Sequence, residues 1–389
     1  MNRRAFLEKS LMALALGEVA PSLLSRTALA ARAGGNRILV LIQLSGGNDS
    51  LNTLVPYTQD LYYRNRPNLA LKREEVLTLD PSLALHPALR PLMPFWEAGE
   101  LGLIPQVGYP NGNRSHFVSM AIWHTADPSG KTAEGWLGRY MDAQDDPYCE
   151  TNLGVSSPLA LRGDHHTAPS IVSLEGFQLR LPRNLASSFE KELKVARSGV
   201  AEEVRQAMLS MNQMTQKVGQ IRTNIQNRVE YPRDNFGRSM ADIARMIAAD
   251  FGSTVYYTQL GGFDTHAGQL TRQAELLGSL GQTLSAFRQD MRAVGRDKDV
   301  MLVAFSEFGR RVAENASFGT DHGHGGLMFV LGGGVKGGMF GSEPDLNNLD
   351  QGDLPFKTDF RKVYGSALQW IGANPTSVLG QDFGSLPLF

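Results

Sequence analysis

The sequence predicts an α/β protein: a three-layer α/β/α sandwich on a mostly parallel sheet, with a helical insertion. Two observations carry that expectation. Five short, nearly unbroken apolar runs each empty into a polar or Gly-rich loop, the pattern of strands buried on both faces. Between them lie stretches with apolar residues every three or four positions, the pattern of helices that cover such a sheet. The 389 residues are 42% hydrophobic and 20% charged, which suits a chain that buries a large core and excludes a disordered one.

Residues 1–30 stand apart from the fold. Arg3-Arg4-Ala5-Phe6-Leu7 is a twin-arginine motif, residues 11–24 form a weakly apolar stretch broken by Glu18 and Pro21, and Ala28-Leu29-Ala30 is a small-x-small cleavage site. These three features in this order read as a signal for export of an already folded chain to the periplasm or beyond. The stretch is too short and interrupted to span a membrane, and no later run reaches eighteen apolar residues.

The domain itself is expected over residues 36–389. Residues 37–44 (RILVLIQL) form the first strand, followed by Ser45-Gly46-Gly47-Asn48-Asp49. Residues 101–107 form the second, followed by a polar loop and a helix from Ser115. Residues 254–260 form the third, followed by Gly261-Gly262-Phe263-Asp264-Thr265-His266. Residues 300–305 form the fourth, followed by Ser306-Glu307-Phe308-Gly309-Arg310, and residues 327–331 the fifth, preceded by Asp321-His322-Gly323-His324-Gly325-Gly326. Leu270, Ala274, Leu277, Leu280, Leu284, Phe287, Met291 and Val294 mark one core-facing helix, and residues 361–371 a last one. Residues 185–229 depart from the alternation. Val204, Met208, Met211, Met214, Val218, Ile221, Ile225 and Val229 form a long stripe there, which predicts a helical insertion beside the sheet.

Charge and cysteine content narrow the function. The 38 Lys+Arg against 39 Asp+Glu leave a net charge of −1, so there is no bulk basic footprint for nucleic acid. Cys149 is the only cysteine, which rules out an intrachain disulfide and a Cys-based zinc site.

Ligands of open α/β sheets bind beyond the carboxyl ends of the strands. Asp49, Ser115, Asp264, His266 and Glu307 follow four of the runs, and His322 and His324 lead into the fifth. Carboxylates and imidazoles meeting on one rim are what a divalent cation such as zinc or manganese requires, and two such cations could hold both oxygens of a displacement at phosphorus. Each residue also has a plainer role. Asp49 is placed for a turn, Ser115 for a helix N-cap, Asp264 for capping the next helix, and Glu307 for pairing with Arg310 or Arg311. Three of the eight histidines fall in two short loops at this one edge, which favours the metal. His165-His166, His86 and His124 have no matching carboxylates and read as surface or structural residues. His116 adjoins Ser115, and its role stays open.

The twin-arginine start, Leu44-Ser45-Gly46-Gly47-Asn48-Asp49-Ser50-Leu51-Asn52, Arg114-Ser115-His116-Phe117 and the three loops at Gly261, Ser306 and Asp321 together resemble the exported bacterial family called domain of unknown function 1501. That family is grouped with the alkaline phosphatase and sulfatase-like superfamily. The resemblance implies an α/β/α sandwich and a two-metal hydrolytic site. Asp49 is then similar to the carboxylate after the first strand that binds one metal. Ser115 stands at the nucleophile's place. Asp264 and His266 resemble the pair on the other metal, with His322 or His324 as its last histidine. Glu307 stands in place of the Asp of an Asp-His pair whose histidine is replaced by Phe308. Asp264 and His266 are one residue apart where the phosphatases have three, and Cys149 lacks the Cys-x-Pro-x-Arg context of a formylglycine sulfatase.

Two functions follow as expectations. One is an exported, metal-dependent hydrolase of phosphate or sulfate esters. It would use one or two zinc or manganese ions, Ser115 as nucleophile, and Arg114 or Arg310 as a clamp on a small anionic ester. The other is a non-catalytic cell-envelope protein that keeps the fold with a degraded site and binds a glycan or a protein. The export reading has its own test. Changing Arg3 and Arg4 together to Lys should hold the precursor in the cytoplasm, and the exported wild type should begin at or near Ala31. A double variant exported at the wild-type rate would show that the arginine pair is no signal.

Overall fold

The computed structural model describes residues 37–146, 149–154, 156–178, 189, 191, 193–195 and 198–389. The expected signal, residues 1–30, lies outside the described residues, as does part of the insertion. Nine strands form one sheet: β1 (Ile38–Ser45), β2 (Leu101–Gly108), β3 (Glu150–Leu153), β4 (Ser170–Ile171), β5 (Val255–Gly261), β6 (Val300–Phe305), β7 (Gly326–Leu331), β8 (Gly338–Met339) and β9 (Thr358–Asp359). Their spatial order is β8-β2-β7-β6-β1-β5-β3-β4, with β9 also pairing β2.

β1 is central because every one of its apolar side chains is buried, and only a strand with a neighbour on each side and a helix layer on each face offers that environment. It pairs in parallel with β5 and β6. Successive side chains point to opposite faces. Val40, Ile42 and Leu44 join one core with Phe236, Leu277 and Phe287, and Leu39 and Leu41 join the other with Trp123 and Tyr364. Helices α4 (Asn235–Ala248) and α5 (Gln269–Ala293) cover the first face. Helices α1 (His116–Thr125), α2 (Trp136–Gln144) and α6 (Phe360–Trp370) cover the second. Each such Leu, Ile or Val contributes about 1.5–3 kcal/mol by leaving water. The expected α/β/α sandwich is therefore the observed architecture.

β7 is antiparallel to both β2 and β6. The reason is the connection that feeds it. A parallel strand needs a crossover, usually a helix, to carry the chain back to the starting edge. No helix lies between Phe305, the end of β6, and Gly326, the start of β7. The chain stays at the carboxyl edge and β7 runs back from it. Residues 306–325 thus lie beside the loops that follow β1, β2 and β5.

Two helical expectations are adjusted. The long helix of the insertion is α3 (Val200–Asn224); it buries Met208, Val218 and Ile221 but ends at Asn224, so Ile225 and Val229 lie beyond it. In α5 the predicted stripe holds from Leu277 to Met291, but Leu270 is exposed and Gln269 and Gln273 are buried in the first turns.

One buried acid is unmatched. Glu150, at the start of β3, is fully buried and neither carboxyl oxygen has a hydrogen-bond partner among the described residues. Burial pushes its pKa well above the usual glutamate value of 4.5, with a smaller push from Asp142. The folded chain therefore keeps a proton that the unfolded chain releases. Stability should fall as pH rises from the ordinary glutamate value through the folded one. Unfolding free energies of Glu150→Gln and wild type should be similar near pH 4 and diverge in favour of the variant as pH rises to 8. A difference that stays constant with pH would show that Glu150 does not hold that proton.

Candidate metal centre

The loops at the carboxyl edge meet at one oxygen, Oδ1 of Asp264. His322 Nε2 lies 3.0 Å from it, His266 Nε2 3.1 Å and His116 Nε2 3.3 Å. These side chains come from three separate segments: the loop after β5, the start of α1 and the lead into β7. His266 Nε2 and His322 Nε2 are 2.9 Å apart. The ligand atoms of His116, Asp264 and His322 lie within 4.8 Å of one another.

Each imidazole is held from behind through its other nitrogen. His322 Nδ1 donates to the Arg114 carbonyl at 2.7 Å, His116 Nδ1 meets Glu307 Oε1 at 2.8 Å, and His266 Nδ1 meets Asp321 Oδ1 at 3.2 Å. A carbonyl and carboxylates only accept, so each Nδ1 carries a proton, and a ring in its neutral form then turns a bare Nε2 lone pair inward. Three lone pairs then face one carboxylate oxygen. The Arg310 guanidinium beside Asp264 offsets part of that repulsion, and a cation among the inward nitrogens would relieve the rest. His116 Nε2 is buried and has no hydrogen bond among the described residues. Donor type, convergence and this orphaned nitrogen all fit a divalent cation, whose ligands in a tetrahedral zinc site stand about 3.4 Å apart.

The local charges follow the same geometry. Burial works to raise the Asp264 carboxyl, but the hydrogen bond and the charge of the Arg310 guanidinium outweigh it and hold it far below the usual carboxylate range. The hydrogen bond that His116 donates to the Glu307 carboxylate raises the His116 pKa. The Asn315 amide and then His266 keep Asp321 low.

The remaining predicted site residues lie around this cluster. Glu307 is 2% exposed and stands behind His116, where it also accepts the Gly46 amide at 2.9 Å. Asp49 is fully buried and does not reach the cluster. Its oxygens take Arg66 at 2.6 and 3.1 Å and the side-chain amide of Gln269. His324 lies across Gly112, with Nδ1 3.8 Å from Asp353. Arg310 is buried and spends its donors on Asp264 and on the carbonyls of Gly46, Gly47, Phe263 and Thr320. Arg114 is half-exposed and bonded to the buried Asp353, which Arg311 also holds. Ser115 is exposed at the N-cap of α1, and its hydroxyl makes no cap hydrogen bond.

Two glycines make the convergence possible. Gly46 has φ +117°, and a Cβ there would lie 2.4 Å from the Asp264 amide. Gly47 has φ +75°, and its Cβ would meet the Phe308 ring at 2.4 Å. Both conformations and both close approaches exclude a side chain. Phe308 is buried beneath His116 and His322, its ring centre 4.9 and 4.8 Å from theirs, so it forms the floor of the cluster.

Residues 100–352 match the family described as protein of unknown function (DUF1501). The chain belongs to that family. The matched region carries His116, Asp264, His266 and His322 together with Glu307, Phe308, Arg310 and Asp321. No curated protein sequence matches the chain. Among solved structures, the PsFucS1 sulfatase from a Pseudoalteromonas species is similar at 8% identity and a TM-score of 0.40, over 90% of this chain and 71% of that one. A protein in the alkaline phosphatase superfamily from Vibrio parahaemolyticus is similar at 12% identity and 0.39, over 98% and 78%. The alkaline phosphatase from the Antarctic bacterium TAB5 is similar at 10% and 0.38, over 86% and 98%. With identities this low, the chemistry of the site rests on its own geometry.

Sequence reasoning left His116 open and passed over Asp321, Gln269, Arg66 and Asp353. The signal for His116 was its place beside Ser115 at a helix start after a strand. The signal for Gln269 was a glutamine in the first turn of an amphipathic helix directly after the Asp264–His266 loop.

The idle Ser115 hydroxyl has a measurable consequence. Loss of a working N-cap costs about 1 kcal/mol. Ser115→Ala should instead melt at the wild-type temperature. A drop of the size a lost cap produces would show that the hydroxyl caps α1 after all.

Proposed function

We propose that this protein is an exported, metal-dependent hydrolase of phosphate or sulfate esters, with Asp264, His116, His266 and His322 as the residues that hold its cation. The observation that supports this most is the inward convergence of three imidazole Nε2 atoms on Asp264 Oδ1, each with its Nδ1 already engaged. A divalent cation in such a site supplies a Lewis acid that draws charge from an ester oxygen. The described residues offer one such cluster, and Asp49 is already matched by Arg66, so the reading is of one ion per chain.

The other groups suit an anionic ester. Ser115 presents a free hydroxyl at the positive end of α1, which favours an approaching anion and suits a nucleophile. Arg114, oriented by Asp353, is the guanidinium still partly open to solvent, whereas Arg310 is consumed in holding the loops. A cavity of about 180 Å³, lined by Asn111, Asn113, Glu307, Phe308, His324 and Phe356, shares Glu307 and Phe308 with the supports of the cluster. Among the described residues no helix is long and apolar enough to cross a membrane.

The test combines metal content with turnover. The purified wild type should carry close to one equivalent of zinc or manganese and hydrolyse p-nitrophenyl phosphate or p-nitrophenyl sulfate. His266→Ala should lower bound metal, and Ser115→Ala should abolish turnover with metal content unchanged. Metal binding without any esterase activity would favour the second reading, an envelope-binding protein. Activity that survives in Ser115→Ala would remove the serine from the mechanism.

A further inference from the structure

Behind the cluster lies a buried polar chain that touches none of the converging atoms. Arg66 and Asp49 are both fully buried and form a two-pronged ion pair, Nη1 to Oδ2 at 2.6 Å and Nη2 to Oδ1 at 3.1 Å. Arg66 is itself fixed by its remaining bonds to Asn52 and to the carbonyls of Arg311 and Val312. Asp49 Oδ2 then accepts the side-chain amide nitrogen of Gln269. An ionised carboxylate accepts only, so the amide cannot turn over and Gln269 Oε1 must point the other way. There it accepts the Thr265 hydroxyl at 3.1 Å and the Thr320 hydroxyl at 2.6 Å.

Those two threonines have a particular place in the chain. Thr265 sits between Asp264 and His266. Thr320 directly precedes Asp321 and His322. One amide oxygen therefore ties together the two loops that carry most of the cluster, although 54 residues separate them in sequence. Gln269, Thr320 and Asp49 are fully buried and Thr265 is 4% exposed, so water offers no substitute partner.

We propose that Gln269 is a positioning residue of the metal centre: its amide, oriented by the Arg66–Asp49 pair, sets the separation of the Asp264–His266 and Asp321–His322 loops. This inference rests on the metal reading above. It also explains why the first turns of α5 bury Gln269 and Gln273 while Leu270 faces solvent. Gln273, one turn further on, belongs to the same buried network but bonds only to Asn48, Thr53 and the Asp49 carbonyl. It does not reach the loops and serves as the control.

The experiment is calorimetric titration of zinc into the metal-stripped full chain. Partners behind metal ligands typically change affinity 10- to 100-fold when lost. Gln269→Met should weaken zinc binding by about that factor, and Thr265→Val and Thr320→Val should each weaken it less. Gln269→Met combined with Thr265→Val should be no weaker than Gln269→Met alone, because the two act through one hydrogen bond. Gln273→Met should lower the melting temperature of the metal-free chain without changing zinc affinity. Wild-type affinity in Gln269→Met, or an equal loss in Gln273→Met, overturns the positioning role and leaves the metal centre standing. A wild type that takes up no zinc overturns both. Should Gln269→Met fail to fold, the two threonine variants carry the test: wild-type affinity in both overturns the role.

Discussion

The carboxyl edge of the sheet is organised by a concentration of like-minded groups around Asp264 Oδ1. Three imidazole nitrogens approach that oxygen, and the buried Arg310 guanidinium also reaches it at 2.7 Å. Arg310 is what keeps this tolerable. Its charge stabilises the ionised carboxylate, and its remaining donors hold the carbonyls of the loops after β1, β5 and β6. The arginine that sequence reasoning cast as a clamp on substrate is thus the clamp on the site itself. A guanidinium suits that task because it offers five donors in a fixed plane and stays charged when buried.

The sheet topology is the second constraint. Because β7 runs antiparallel, residues 306–325 never leave the carboxyl edge, and Glu307, Arg310, Asp321 and His322 all arrive there on one connection. Phe308 on that connection fills the space beneath two of the imidazoles. An apolar ring there does not donate or accept, so it leaves the orientation of His116 and His322 to Glu307 and to the Arg114 carbonyl. The result is a cluster whose members each have one nitrogen spent on support and one turned inward.

Much of this was legible in sequence, and the limits are physical. The buried strands are evident because a strand covered on both faces must be apolar throughout, and Asp264, His266 and His322 stood out as polar groups at the ends of such strands. His322 and His324 were not separable. The choice between them is made by the bridge between Arg310 and His322, a long-range pairing with no local trace. Asp49 was read as a metal ligand, but its partner Arg66 lies in a stretch with no periodic pattern, so its pairing with a guanidinium was invisible. The exposed Leu270 shows the same limit. Periodicity assigned it to the core, but the first turns of α5 bury Gln269 and Gln273 instead. The extent of the long insertion helix was overrun because apolar spacing continued past Asn224 after the backbone had left the helical region at Ile225.

The most direct test of the account is X-ray absorption at the metal edge of the zinc-loaded protein. The account predicts a single zinc environment with nitrogen and oxygen ligands at about 2.0–2.1 Å, imidazole scattering from three histidines, and loss of one imidazole in His322→Ala but not in His324→Ala. A spectrum that is unchanged in His322→Ala, or one that loses imidazole scattering in His324→Ala, would contradict it.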